Sequence, residues 1–229
     1  MSQKLIMVIA IDGPAGAGKS TVTRKLADRL GFSFLDTGAM YRAVTWAALN
    51  RDVTLTDTEA LLGVALAIRI AFDGDRVLVD DQDVSELIRM PEVTRNIFHV
   101  ADHPGIRDRL VQLQREIVAT GNYVCEGRDQ GTVAFPDAFC KIYLNASPQY
   151  RAMRRVAQLE ATGQYVDYDE VVADQNLRDQ RDLNREVGRL MRADDAIEVN
   201  TDNKTIEDVV DELEQIVKDS IANASIAPA

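Results

Sequence analysis

The sequence predicts an α/β fold: a five-stranded parallel sheet with helices on both faces and a small inserted β-element. Three observations carry this. Five short, mostly apolar runs recur at 5–11, 33–35, 123–126, 141–145 and 196–199. Between them, helical periodicity appears at 19–30, 39–50, 105–120, 148–160, 169–191 and 205–220. The runs are apolar on both faces, as strands are when helices cover a parallel sheet from either side.

The first run, LIMVIAI at 5–11, leads straight into glycines, with no basic segment and no small-residue cleavage site before it. It reads as a buried strand rather than a leader. No apolar run approaches the roughly 20 residues a membrane span needs, so a soluble protein is expected, and two cysteines in apolar runs fit a reducing cytoplasm. Residues 13–20, GPAGAGKS, follow the strand and open a helical pattern, matching the spacing G-x-x-x-x-G-K-[ST] of a phosphate-cradling loop. Gly13, Gly16 and Gly18 let the backbone curl around one anion, and the helix start adds positive potential. Pro14, Ala15 and Ala17 complete the ATP-binding loop. Lys19 is expected to reach the β- and γ-phosphates, Ser20 to hold Mg²⁺ through its hydroxyl, and Thr21 to contact a neighbouring phosphate.

Strand 33–35 and helix 39–50 come next. Trp46 sits there in an apolar stripe that reads as core, and Tyr41, beside Arg42, suits either the core or the flank of a site. From 67 to 99 the rhythm breaks: IRIAF, the turn DGD and RVLVD read as a hairpin, hence an insert that can grip a substrate. Strand 123–126 ends in Glu126, which can steer Mg²⁺ through water or cap the following turn, and Asp36 at the end of 33–35 stands the same way. One domain over 1–229 is expected, with its core at 1–66 and 100–220, the insert at 67–99 and a fraying tail at 221–229. The loop at 162–166 and the insert are expected to close over substrate, because water left in the site would consume ATP.

The balance of 26 basic against 37 acidic residues, net -11, argues against nucleic acid or an anionic membrane as partner and leaves a small anionic ligand in a locally basic pocket. Twenty of the 26 basic residues are arginine, the side chain suited to forked phosphate contacts. Arg178, Arg181, Arg185, Arg189 and Arg192 recur at three- and four-residue steps, near one face of a single helix, with Asp182 among them. That face either gathers phosphates or is solvated and laced by Asp174, Asp179 and Glu186. Arg151, Arg154 and Arg155 form a second cluster, from which one is expected to reach ATP and the others to lie at the surface. Cys125 and Cys140, both in apolar runs, read as buried free thiols. His99 and His103 read as packing or solvated groups rather than a metal site.

LDTGAMYR at 35–42, EGRDQGTVAFPDA at 126–138 and LRDQRDLNR at 177–185, together with the phosphate loop, resemble the pattern of the bacterial cytidylate kinases. The resemblance spans nearly the whole chain and includes the insert. It implies a P-loop kinase that transfers the γ-phosphoryl of MgATP to CMP, and to dCMP, as a monomer. It also implies that Thr37, Arg42, Arg107, Arg128, Asp129, Arg178, Asp182 and Arg185 hold CMP. In that reading Arg42 and Arg128 take the acceptor phosphate, Asp182 the ribose hydroxyls, and Arg107 with Asp129 the cytosine. Arg178 and Arg185, with Lys19 and Arg128, neutralise the charge that develops during transfer. Phe98 stands where some members of the family carry a base-contacting serine. The rivals at this point are a kinase acting on UMP, AMP or shikimate, and a P-loop ATPase that regulates a partner.

Overall fold

The computed structural model describes residues 6–161 and 163–226. Leu5 of the first predicted strand, Thr162 of the predicted lid loop and residues 227–229 of the tail lie outside them. The elements run β1 (Val8–Asp12), α1 (Lys19–Leu30), β2 (Ser33–Asp36), α2 (Thr37–Asn50), α3 (Thr58–Ala67), β3 (Ile70–Asp73), β4 (Arg76–Val79) and β5 (Gln82–Asp83). They continue with α4 (Pro91–Ala101), α5 (Pro104–Val118), β6 (Tyr123–Gly127), β7 (Cys140–Asn145), α6 (Pro148–Glu160), α7 (Tyr168–Asn184), β8 (Ile197–Asn200) and α8 (Ile206–Ile226). By contact the chain divides into two units, one of Met1–Leu35 with Val118–Ala229 and one of Asp36–Ile117.

The first unit is built on the predicted five-stranded sheet, in the order β2-β6-β1-β7-β8. β1 pairs in parallel with β6 on one side, Ile11 opposite Glu126 and Asp12 opposite Gly127, and with β7 on the other. β7 pairs in parallel with β8. Ile9, Ala10 and Ile11 of this central strand are fully buried, which is why its sequence is apolar without alternation. Val22 and Leu26 of α1 and Val209, Leu213 and Val217 of α8 pack on Ile9, Ile11, Ile142 and Leu144. Each such side chain contributes about 1.5–3 kcal/mol when removed from water. This packing anchors the carboxyl end of β1, from which the phosphate loop leaves.

The second unit holds the predicted hairpin: β3 and β4 pair antiparallel across a turn with Gly74 at φ 58°, and β5 adds a third strand. It also holds two helices that the periodicity did not reveal. α3 is capped by Asp57, whose carboxylate accepts from Ala60 N at 3.0 Å, and α4 starts at Pro91, a residue preorganised for the first helical position. α4 packs against α2.

Two helix ends differ most from expectation. The helix predicted over 169–191 stops at Asn184. The chain then folds back through Gly188 at φ 67°, and Leu190 N donates to Asp182 O at 2.7 Å. Arg189 and Arg192 are therefore not on the arginine-bearing helix: Arg192 pairs with Glu198 at 2.8 Å. The last helix, expected to end at 220, continues to Ile226.

Candidate active site

The loop between β1 and α1 is shaped by its glycines. A Cβ on Gly13 would lie 2.0 Å from the carbonyl oxygen of Leu144, so no larger residue fits beside β7. Gly16 and Gly18 adopt φ 80° and 87°, the left-handed region that L side chains rarely enter. Gly18 caps α1, and the helix start places Lys19, Ser20 and Thr21 in its first turn, the last two exposed. Lys19 is 6% exposed, and its ammonium donates to Gly13 O at 2.7 Å and Pro14 O at 2.8 Å. Burial, and then the neighbouring Arg128 guanidinium, push this group down to about 7. A lysine so placed returns to its charged form when an anion enters beside it.

Immediately before the loop stands Asp12, a buried carboxylate that the sequence reading passed over. Its two oxygens accept from Gln130 N and Gly131 N, both at 2.8 Å. Burial raises the carboxyl to about 6 against the pull of those two donors. The bonds tie the phosphate loop to the turn that follows β6, the turn carrying Arg128 and Asp129. Asp129 is 4% exposed, and its backbone oxygen accepts from Val133 and Ala134 in a short π-helical turn. Glu126, at the end of β6, is likewise buried, and its charge acts on Lys19.

Asp182 organises the basic groups. One oxygen accepts from Arg128 Nε at 2.9 Å and the other from Arg185 Nη2 at 2.8 Å. Burial alone would raise this carboxyl, but Arg128, Arg185 and the more distant Arg178 outweigh it and hold it below its ordinary value. One carboxylate thus gathers cations from the turn after β6, from the body of α7 and from its end. The first unit thereby brings together Lys19, Arg128, Arg178, Asp182 and Arg185, five of the residues the sequence singled out.

Thr37, Arg42 and Arg107 lie in the second unit. Thr37 opens α2 behind Asp36, whose carboxylate caps the helix by accepting from Ala39 N at 2.9 Å. Arg42 comes close enough to Gly38 that a Cβ there would lie 3.3 Å from its Nη1. Arg107, 3% exposed, donates to Ala101 O at 3.0 Å and holds its guanidinium 5.4 Å over the ring of Tyr41. Phe98 stacks on His99 with centroids 4.1 Å apart. His103 accepts from Ile106 N, a packing role.

The α6 arginines depart from expectation. Arg151, placed at the surface or over ATP by its sequence, is 3% exposed and bonded to Ala146 O, Ala15 O and Asp179. Arg154 is half-buried against Ala17 O and Thr201.

A family model described as "Cytidylate kinase" matches residues 9–219, a span that contains the phosphate loop, the Arg128 turn and the Asp182 cluster. The chain belongs to the cytidylate kinase family. It is 49% identical over 215 residues to a cytidylate kinase of Rhodopirellula baltica (strain DSM 10527 / NCIMB 13988 / SH1), covering 94% of each protein. A cytidylate kinase of Carboxydothermus hydrogenoformans is 46% identical, over 92% of this chain and 97% of the relative. A bifunctional pantoate ligase/cytidylate kinase of Gloeobacter violaceus is 45% identical over 95% of this chain, which spans 44% of that protein. Among solved structures, a gluconokinase from Sinorhizobium meliloti 1021 superposes with a TM-score of 0.51 at 16% identity, over 97% of this chain and 98% of that one. At that identity it shares the fold only. The phosphate loop, the Arg128 turn and the Asp182 stretch lie in motifs legible in the sequence, while Asp12 and Arg151, which brace them, carry no motif of their own.

Proposed function

We propose that the chain transfers the γ-phosphoryl group of MgATP to CMP and dCMP, giving ADP and the corresponding diphosphate. The observation that carries this is the Asp182 cluster. Its three arginines and Lys19 set more phosphate-binding donors beside a phosphate loop than one bound nucleotide requires, a number suited to a second phosphate. The acceptor oxygen of a nucleoside monophosphate is already anionic, so it attacks the γ-phosphorus directly. The bond to the β–γ bridging oxygen breaks, and no general base or phosphoenzyme is needed.

In this reading residues 13–21 hold the donor triphosphate, and Lys19, Arg128, Arg178 and Arg185 neutralise charge on the transferring group. Thr37, Arg42 and Arg107 join Arg128, Asp129 and Asp182 in holding CMP. The Ser20 hydroxyl, exposed in the first turn of α1, fits one Mg²⁺ ligand. Among the described residues no group of three His, Cys, Asp or Glu forms a metal site of its own. When bound, Mg²⁺ would neutralise phosphate charge. No helix among the described residues is long and apolar enough to cross a membrane. The buried free thiols Cys125 and Cys140 favour a reducing, cytoplasmic setting, with a monomer as the working unit. A coupled ADP-release assay across CMP, dCMP, UMP, AMP and shikimate tests the reading. Rapid ATP consumption only with the cytidine monophosphates is expected; equal rates without acceptor overturn it.

A further inference from the structure

The guanidinium of Arg151 holds three separate segments. Its Nε donates to Ala146 O at 3.1 Å, at the end of β7, its Nη1 to Ala15 O at 2.9 Å, at the apex of the phosphate loop, and its Nη2 pairs with Asp179 on α7 at 2.6 Å. The backbone oxygen of Arg151 in turn accepts from Gln175 Nε2 at 3.1 Å, so α7 clasps the residue twice. One turn along α6, Arg154 Nη1 donates to Ala17 O at 3.3 Å, while its Nη2 donates to Thr201 O at 2.6 Å. The two arginines therefore hold alternate carbonyls of one loop.

A trans peptide points its N–H opposite to its C=O, and the described chain contains no cis bond. With the Ala15 and Ala17 oxygens drawn toward α6, the N–H groups of Gly16 and Gly18, which share those peptides, face away from it. Gly16 and Gly18 are the loop residues at φ 80° and 87°. Freed of Cβ, such residues could turn their peptides either way at little cost, so an external hold decides the direction. A planar, always-charged guanidinium is the residue for that work, because its donors are fixed in a fork and spread over three nitrogens, whereas a lysine's three donors diverge from one nitrogen and cannot span partners on three separate segments.

We infer that Arg151, seconded by Arg154, is a positioning residue that presets the donor loop's N–H groups for the triphosphate, with Asp179 holding Arg151 in place. The arrangement also braces the loop against α7. Asp179 lies beside Arg178 and three residues before Asp182, so the buried pair links the loop peptides to the helix that carries the acceptor-side charges. The inference rests on the phosphate loop being the ATP site. It differs from a direct role in that Arg151 acts through backbone oxygens and not on the nucleotide.

The test uses Arg151→Lys and Asp179→Asn, the second of which keeps every cation in place. In ligand-free protein, the ¹H–¹⁵N signals of Gly16 and Gly18 are compared with wild type, alongside thermal melting. The affinity of the β,γ-imido analogue of ATP is then measured by calorimetry, and KM for CMP by the coupled assay. Expected for both variants are displaced glycine signals without nucleotide, analogue binding weakened about tenfold for Arg151→Lys and about threefold for Asp179→Asn, and KM for CMP within twofold of wild type. Losses from the two changes should not add in the double variant. Unmoved glycine signals overturn the inference, as does an unaltered analogue affinity or an equal rise in both substrates' constants. If Arg151→Lys fails to fold, Asp179→Asn alone decides. Wild-type protein that fails to bind the analogue refutes the ATP site itself, a separate outcome from unmoved signals in the variants.

Discussion

Lys19 offers a quantitative handle on the site because its ordinary value of 10.5 is lowered to about 7 by burial and by Arg128. At pH 7 such a group is about half charged, and at pH 8 about one-tenth charged. A triphosphate entering the loop restores the ammonium, so MgATP binding should take up ~0.5 proton at pH 7 and ~0.9 at pH 8. By linkage, affinity should then fall about eightfold for each pH unit near 8. The assay is calorimetry of MgATP binding, without CMP, in two buffers of different ionisation enthalpy at each pH. Lys19→Met is the control that cancels titration of the nucleotide itself. The sign also has a consequence for the free protein. The folded value lies below the unfolded one, so the folded state holds fewer protons between them and stability rises with pH from about 7 toward 10. Equal proton uptake by wild type and Lys19→Met at both pH values would refute the reasoning.

Gly13→Ala should cost more than about 3 kcal/mol in urea unfolding, because its Cβ meets the Leu144 carbonyl at 2.0 Å and backbone must move. Asp12→Asn should abolish a pH dependence: with a folded value of about 6 against 3.8 unfolded, Asp12 contributes stability that is full below 3.8 and lost as pH rises through 6. The gap between wild type and variant should therefore widen in favour of wild type by up to about 3 kcal/mol between pH 7 and pH 4, the 2.2-unit difference converted at 1.36 kcal/mol each; a constant gap contradicts it. Asp129→Asn should relax the preference for CMP over UMP about tenfold, since a carboxylate accepts from the cytosine amine whereas an amide can also donate to the uracil carbonyl. Arg128→Ala should instead lower kcat/KM on both acceptors alike.

The sheet was legible because its strands are buried on both faces, and the phosphate loop because a tight anion cradle needs glycines at fixed spacing. α3 and α4 were not. α3 is apolar nearly all round and contains Gly63, so its 3.6-residue period is blurred, although Asp57 was a visible cap. The overrun of α7 has the opposite cause: charged residues keep helical spacing past Asn184, while the terminating signal is one glycine at positive φ and a backbone bond to Asp182 O. Arg178, Asp182 and Arg185 were readable as a set because they share a short stretch of chain. Asp12 was not, because its partners Gln130 and Gly131 are more than a hundred residues away. Arg151 was misjudged for a similar reason: its main partners are backbone carbonyls, which leave no trace in composition.

The parallel pairing of β1 with β6 has a consequence for how this chemistry tolerates mutation. The phosphate loop leaves the end of β1 and the Arg128 turn leaves the end of β6, with Asp12 opposite Gly127 in the last paired step. Adjacent strands lie about 4.8 Å apart wherever a ladder forms, whatever side chains they bear. The span between the two anchor points is thus a property of the peptide group, inherited from main-chain hydrogen bonding. Side chains on the buried faces can drift so long as they fill the core, and loops can lengthen, without changing that span. What drift cannot touch is the final residue pair, where one strand passes into glycine and its neighbour into arginine.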